Sequence, residues 1–238
     1  MLVEYTVKHR MEVQSKWLQF LERFPVISRG KNQILLFQGE APRFAHVVKS
    51  GVVKTYNVSG QGVEQLVTFE GKLDVFPFTW VWGKAPSALY YYEALTDCEV
   101  YCVPRDEYLE FIKSDSRLLA AELEKFARQE VGNTLRLNAL LNLKAHDKLV
   151  HTLHYLAQIH GQPTDNGMIM INLGLTQQDF ANLIGITRET AATELNKLKK
   201  RGVIFYSPGV YYQVDMAKIN QLLNDQFIAE IENIFATS

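Results

Sequence analysis

The 238-residue chain is long enough for two ordinary domains, each able to bury its own core, and 25 Lys and Arg against 26 Asp and Glu leave it near neutrality. No overall bias toward nucleic acid or an anionic membrane follows, so any nucleic-acid contact has to be local. Two cysteines are too few for a four-thiolate iron–sulfur cluster, and no apolar run approaches the roughly 20 residues of a membrane span; a soluble cytoplasmic protein is expected.

In chain order, Met11, Trp17, Leu18, Leu21 and Phe24 lie among polar residues at a spacing that predicts a short amphipathic helix over residues 11–24. From Lys31 to Pro104 the sequence changes to short β-prone runs, QILLF, AHVVKSGVVKTYNV, EQLVTF, ALYYYEAL and CEVYCV, separated by turns at Gly39, Gly51, SGQG and Gly71. Many short strands at this spacing predict a small β-barrel or roll. Cys98 and Cys102 then share one face of a strand about 13 Å apart, at roughly 3.3 Å per residue, too far for a disulfide, and are expected as half-buried thiols.

A polar cap at Ser114–Ser116 opens a long helical run in which Leu119, Leu123, Phe126, Glu130, Asn133, Leu137 and Leu140 alternate strictly at spacings of four and three. This predicts a coiled-coil seam, and hence a parallel homodimer, although a helix packed on its own barrel would carry the same stripe. At a subunit boundary Glu130 and Asn133 require partners: each other, the barrel or a ligand.

The helical run HDKLVHTLHYLAQIHG is ended by Gly161 and Pro163 and followed by the β-prone MIMINLGL. Two helices split at Gly185 come next, then GVIFYSPGVYYQV, two β-runs around a Pro-Gly turn, and an amphipathic helix over roughly residues 216–235. That order is a winged helix-turn-helix. The expected division is an N-terminal helix and β-roll sensor over 1–114, a dimerisation helix over 115–143, and a winged helix-turn-helix with an extra C-terminal helix over 144–238. The fold class is α+β, with a double-stranded β-helix or jelly-roll-like sensor.

Within LTQQDFANLIGITRETAATELNKLKKRG, Thr176 caps the first helix with Asp179 in the capping-box position, Gly185 permits the turn, and Thr187 caps the second helix. Ala191, Leu195 and Leu198 define the second helix's buried stripe, with Glu189, Thr193, Asn196 and Lys200 on the opposite arc and Arg188 on the flank. Arg188 can donate twice to guanine and Glu189 can accept from cytosine N4, with Thr193 and Asn196 as further base contacts. Thr176, Thr187, Lys197, Lys199, Lys200 and Arg201 are expected to meet phosphates. A solvated charged helix is the plainer alternative; the capped partner helix, glycine turn and following hairpin argue against it.

The unit LTQQDFANLIGITRETAATELNKLKKRGVI, preceded by a β-roll and a long helix, resembles the Crp/Fnr family of bacterial transcription regulators over nearly the whole chain. The resemblance implies a cyclic-nucleotide-binding-like sensor, base contacts at Arg188 and Glu189, homodimeric binding to double-stranded DNA, and RNA polymerase as activation partner. It also implies an arginine where this chain has Thr193, and an apolar packing residue where it has Glu194. Similar proteins that bind cyclic nucleotides hold the phosphate with a Gly-Glu pair and an Arg-Ser pair. Here Val75-Phe76 or Pro77-Phe78 stands for the first and Ala88-Leu89 for the second, so no cyclic nucleotide is expected.

Aromatic residues replace that cradle. Phe76, Phe78, Trp80 and Trp82 alternate and would share a face if the segment were extended, with Tyr90, Tyr91 and Tyr92 close behind. They fill the roll's core or, with Tyr90, Tyr92, Asn133 and Thr134, line an apolar effector pocket between barrel and helix. A regulator that needs no effector stays open. His146, His151, His154 and His160 invite a metal reading, with His151 and His154 three residues apart and Asp147 one turn earlier, but helical histidines near a hinge are ordinary surface residues. No metal and no cofactor are expected.

The reading is therefore a regulator whose sensor shifts the hinge near Leu143–His146 and turns two recognition helices to one DNA turn, roughly 34 Å apart. An adaptor that has lost specific DNA binding is the alternative, favoured by Thr193 and Glu194. An enzyme is a further one, against which stands the absence of any nucleophile–base pair, paired metal-ligand motif or phosphate loop in the sequence.

Overall fold

The structure is a computed structural model that describes residues 2–207 and 209–223, with side chains from residue 12 onward. The chain packs as two units, Met1–Phe126 and Ala127–Ser238.

The first unit runs α1 (Leu2–Leu21), β1 (Val26–Arg29), β2 (Ile34–Leu36), β3 (Ala45–Ser50), β4 (Val53–Val58), β5 (Glu64–Glu70), β6 (Val75–Phe76), α2 (Phe78–Val81), β7 (Tyr91–Ala94), β8 (Cys98–Val103), α3 (Arg105–Lys113) and the start of α4 (Ser116–Leu141). Its strands form two antiparallel four-stranded sheets, ordered β1-β8-β3-β6 and β2-β7-β4-β5. Successive residues of a strand point to opposite faces, and here both faces of β3 are covered. Val47 enters a cluster with Trp17, Leu21, Tyr108, Ile112 and Leu118, which ties α1, α3 and the start of α4 to the sheet. Val48 enters a second cluster with Leu36, Phe76, Tyr92 and Val100.

Three expectations change here. The leading helix starts at Leu2 and ends at Leu21, leaving Phe24 beyond it, in edge contact with Phe20 at 4.9 Å. Cys98 and Cys102 are buried rather than half-buried, 3 and 6 % exposed, on a strand that feeds Tyr101 and Val103 into one core cluster and Cys98 and Val100 into the other. The segment from Phe76 to Trp82 is not extended: β6 stops at Phe76, and Phe78–Val81 makes a single helical turn after Pro77. The four aromatic residues therefore do not share a face. Phe76 lies between His46 and Tyr92, at ring distances of 5.3 and 4.9 Å, whereas Phe78, Trp80 and Trp82 pack on the other cluster.

The second unit holds the rest of α4, then α5 (Ala145–His160), β9 (Gly161–Pro163), β10 (Ile169–Ile171), α6 (Gln177–Ile184), α7 (Arg188–Lys200), β11 (Ile204–Ser207), β12 (Tyr211–Val214) and α8 (Met216–Leu223). Its sheet is ordered β11-β12-β10-β9, and α5 packs on α6, α7 and α8. Gly161 and Pro163, expected only to stop a helix, also form β9, opposite Ile171 and Ile169 of β10. Pro208 of the expected turn and residues 224–235 of the expected last helix lie outside the described residues.

Helix α4 carries two stripes. Leu118, Glu122, Leu135 and Ala139 are buried, and Glu122 accepts a hydrogen bond from the Tyr108 hydroxyl at 2.9 Å. On the other side, Leu119, Leu123, Phe126, Leu137 and Leu140 are 44, 66, 45, 58 and 38 % exposed. In the second unit Gly132 brings α4 close to α5: a Cβ there would lie 3.1 Å from both Ile159 Cγ1 and Tyr155 Cε2.

Candidate nucleic-acid interface

The helix-turn-helix is built by its caps. Thr176 precedes α6 in extended conformation; its Oγ1 accepts from Asp179 N at 3.2 Å, while its own N–H and hydroxyl donate to Asp179 Oδ2 at 2.7 and 2.6 Å. This reciprocal box satisfies backbone donors that an open helix end leaves bare. Gly185 closes α6 in the left-handed region, φ 66°, where a side chain would be strained. Thr187 restarts the chain as α7, its Oγ1 accepting from Thr190 N at 3.2 Å.

The inward side of α7 carries Ala191, Leu195 and Leu198, all fully buried, as the spacing predicts, and Glu194 beside them. Arg188, Glu189, Thr193, Asn196 and Lys200 are exposed. Among the described residues, the side chains of Arg188 and Glu189 make no hydrogen bond, so both remain open to an outside partner. Thr193 and Asn196 are engaged: the Thr193 hydroxyl donates to the Glu189 carbonyl at 2.8 Å, and Asn196 Oδ1 accepts from the Tyr206 hydroxyl at 2.9 Å.

The cations divide similarly. Lys197 donates to Glu194 Oε1 at 2.6 Å, and Lys199 lies over the Tyr206 ring at 4.7 Å. Lys200 and Arg201 are exposed at the end of the helix. Thr176 commits both its donors to Asp179 and so fixes the helix start.

Glu194 is buried, and its other oxygen meets His146 Nδ1 of α5 at 3.0 Å. Burial raises its carboxyl, but hydrogen bonds from Lys197 and His146 outweigh that and hold it below the usual carboxylate range. This accounts for a carboxylate where an apolar residue would pack. His146 thus has a structural partner, and His154 is buried on α5. Among the described residues no group of three His, Cys, Asp or Glu side chains is placed to hold a metal ion.

The hairpin β11–β12 stacks Tyr206 on Tyr212 at 5.0 Å, and Tyr212 meets Phe180 of α6 edge-on at 4.9 Å. Sequence reasoning missed Tyr206. The signal was there as an aromatic residue in the first β-run after a basic helix end, but only the fold brings it beside Asn196. From Val203 to Ala217 the hairpin region has no Lys or Arg.

In the first unit, Phe76 and Tyr92 are 1 and 4 % exposed and stacked on each other, which makes them core residues rather than an open pocket wall. Phe78 stacks on Phe126 of α4 at 5.6 Å, Arg105 lies over the Trp80 ring at 5.6 Å, and Tyr90 and Trp82 are half-buried. Asn133 and Thr134 lie exposed on α4 in the second unit, the Thr134 hydroxyl donating to Glu130 O at 3.0 Å. Glu130 is exposed as well.

Residues 27–115 match the family model of the cyclic nucleotide-binding domain, and residues 147–222 match that of the Crp-like helix-turn-helix domain. The chain is 25 % identical to regulatory protein HlyX of Actinobacillus pleuropneumoniae over 175 residues, covering 73 % of this chain and 71 % of that protein. It is 26 % identical to the fumarate and nitrate reduction regulatory protein of Vibrio cholerae over 192 residues, 78 % of this chain and 72 % of that one. Among solved structures, FixK2 from Bradyrhizobium japonicum shares the fold with a TM-score of 0.69 at 20 % identity, over 84 % of this chain and 96 % of FixK2.

Proposed function

Because the chain belongs to the Crp/Fnr family of transcription regulators, we propose that it acts as a homodimer that places two copies of α7 in successive major grooves of a pseudo-palindromic operator. The observation that carries this reading is the second stripe of α4, apolar and exposed at strict heptad spacing along a helix whose other stripe is already buried. A second copy of the same stripe covers it, with Glu130 and Asn133 facing their equivalents.

Arg188 and Glu189 enter the groove first and read a G and a C. Thr187, Lys199, Lys200 and Arg201 meet the backbone behind them, while Lys197 holds Glu194. The β-roll does not take a cyclic nucleotide, since neither Val75-Phe76, both buried in β6, nor Pro77-Phe78, nor Ala88-Leu89, supplies the charged and hydroxyl side chains that a cyclic phosphate requires. An aromatic or apolar effector is left to the half-buried Phe78, Trp80 and Trp82 region, and a regulator with no effector to the stacked interior. RNA polymerase and a cytoplasmic setting complete the reading; among the described residues no helix is long and apolar enough to cross a membrane.

The committed Lys197 and the hairpin without Lys or Arg favour a second reading, an adaptor that no longer holds DNA specifically. Selection on random duplex DNA decides between them. An inverted repeat, with Arg188→Ala weakening it by about 1–3 kcal/mol, is expected; no enrichment of any repeat sinks the operator-binding reading.

A further inference from the structure

We propose that the polarity of the two middle readers of α7 is fixed from within the protein: Thr193 presents only an acceptor to the DNA, and Asn196, oriented by Tyr206, presents a donor. This rests on the reading of α7 as the base-reading helix. It adds which kind of base edge each residue takes.

A threonine hydroxyl has one proton. At Thr193 that proton goes to the carbonyl of Glu189, one turn back, at 2.8 Å. What remains on the exposed side is oxygen lone pairs beside a methyl group. In the major groove the groups such an oxygen can pair with are the amino groups of adenine N6 and cytosine N4, while guanine and thymine present acceptors on that edge. The arginine that the family resemblance implies at this position would do the reverse, donating to guanine. The chain has therefore inverted the polarity of one reading position. It has also anchored the new group to the backbone of the turn that carries Glu189.

Asn196 is set from the other side. Its Oδ1 accepts from the Tyr206 hydroxyl at 2.9 Å, which turns the amide nitrogen away from the hairpin. Tyr206 is held by its stack on Tyr212 at 5.0 Å and by Lys199 over its ring at 4.7 Å. Bidentate adenine recognition requires both amide atoms side by side on the base edge. With the oxygen held by Tyr206, Asn196 offers its N–H groups to a guanine or thymine acceptor or to a phosphate. Tyr206 is thus a positioning residue, acting on DNA through Asn196.

The test is duplex selection and affinity measurement on the full-length protein as wild type, Thr193→Val, Thr193→Ser and Tyr206→Phe. Wild type is expected to select, on the strand facing Thr193, adenine or cytosine over guanine or thymine. Thr193→Val, which keeps the shape and the methyl, should lose that preference and bind the selected site roughly 3- to 10-fold more weakly, while the G and C read by Arg188 and Glu189 stay selected. Thr193→Ser should keep the preference. Tyr206→Phe, which preserves the stack on Tyr212, should weaken operator binding by a similar factor without lowering the melting temperature. Guanine at the Thr193 position, or thymine kept by Thr193→Val and lost by Thr193→Ser, overturns the acceptor assignment; unchanged binding by Tyr206→Phe overturns the role of Tyr206. Either result leaves the inverted repeat, and so the operator reading, standing. Absence of any repeat in the wild-type selection removes both.

Discussion

Glu194 sits on the inward side of the recognition helix, and its two oxygens are held by His146 and Lys197. Removing a partner of a buried charge leaves that charge less compensated, whereas removing the buried carboxylate itself leaves only His146 and Lys197, 30 and 58 % exposed, which water can reach. His146→Ala is therefore expected to destabilise the protein by about 1–3 kcal/mol in denaturant unfolding, and Glu194→Leu by less than about 1 kcal/mol. Because the folded carboxyl is held low, the stability it contributes is present above the ordinary carboxylate range and lost as pH falls through its folded value, so Glu194→Leu flattens the acid limb of the stability curve. Glu70 behaves oppositely. Burial first, then the neighbouring charge of Asp74, pushes it up to about 8, against the Thr55 hydrogen bond and Lys125. The folded state then keeps a proton that the unfolded chain has already released near 4.5, and stability declines as pH rises from there through about 8. Glu70→Gln should raise the melting temperature by about 3 °C or more at pH 9 and change it little at pH 4.

At the level of elements, the helix-turn-helix was legible in the sequence because each of its signals is local: Thr176 with Asp179, Gly185, Thr187, and the 4-3 spacing of Ala191, Leu195 and Leu198. Thr187→Ala should cost about 1 kcal/mol of stability and weaken operator binding, since the cap fixes where α7 begins. The aromatic segment was misread for the opposite reason. Alternation of Phe76, Phe78, Trp80 and Trp82 has the period of a strand, but the strand stops at Phe76 in one core cluster and a single turn of helix then carries Phe78, Trp80 and Trp82 onto the other, too short to leave a period of its own. Helix α3 gives little signal in the sequence although Tyr108 and Ile112, both fully buried, stand four residues apart. Nine residues are too few for periodicity to stand out. Gly132 is a contact that no spacing reveals. Its missing Cβ matters only because Tyr155 and Ile159 come to it from α5, and Gly132→Val should destabilise that helix pair by about 1–3 kcal/mol.

For the whole molecule, the proposed dimer rests on the exposed stripe of α4. Leu123→Glu with Leu137→Glu is expected to give a monomer by analytical ultracentrifugation that still binds a half-site but loses the advantage of the full repeat; a dimer that persists would place the interface elsewhere. The spacing of that stripe is legible in the sequence because heptad positions repeat whether or not anything covers them. The helix's second, inward stripe is not, since Glu122 on it is a carboxylate that only the Tyr108 hydroxyl and Lys125 make tolerable there. The hairpin without Lys or Arg has a further consequence, for how the protein finds its target. If Lys199, Lys200 and Arg201 of each proposed subunit are the backbone contacts, few counterions are released, and the logarithm of affinity should fall with the logarithm of salt at a slope of roughly −5. Val210→Lys, at an exposed position after the hairpin turn, should steepen that slope by about 2 per dimer without changing the selected sequence. Every base pair of a chromosome competes as a decoy, and a decoy retains a protein almost entirely through its phosphates. On the proposed contacts, a regulator with so few phosphate cations dwells briefly on the wrong sequence, leaving more of it free to search.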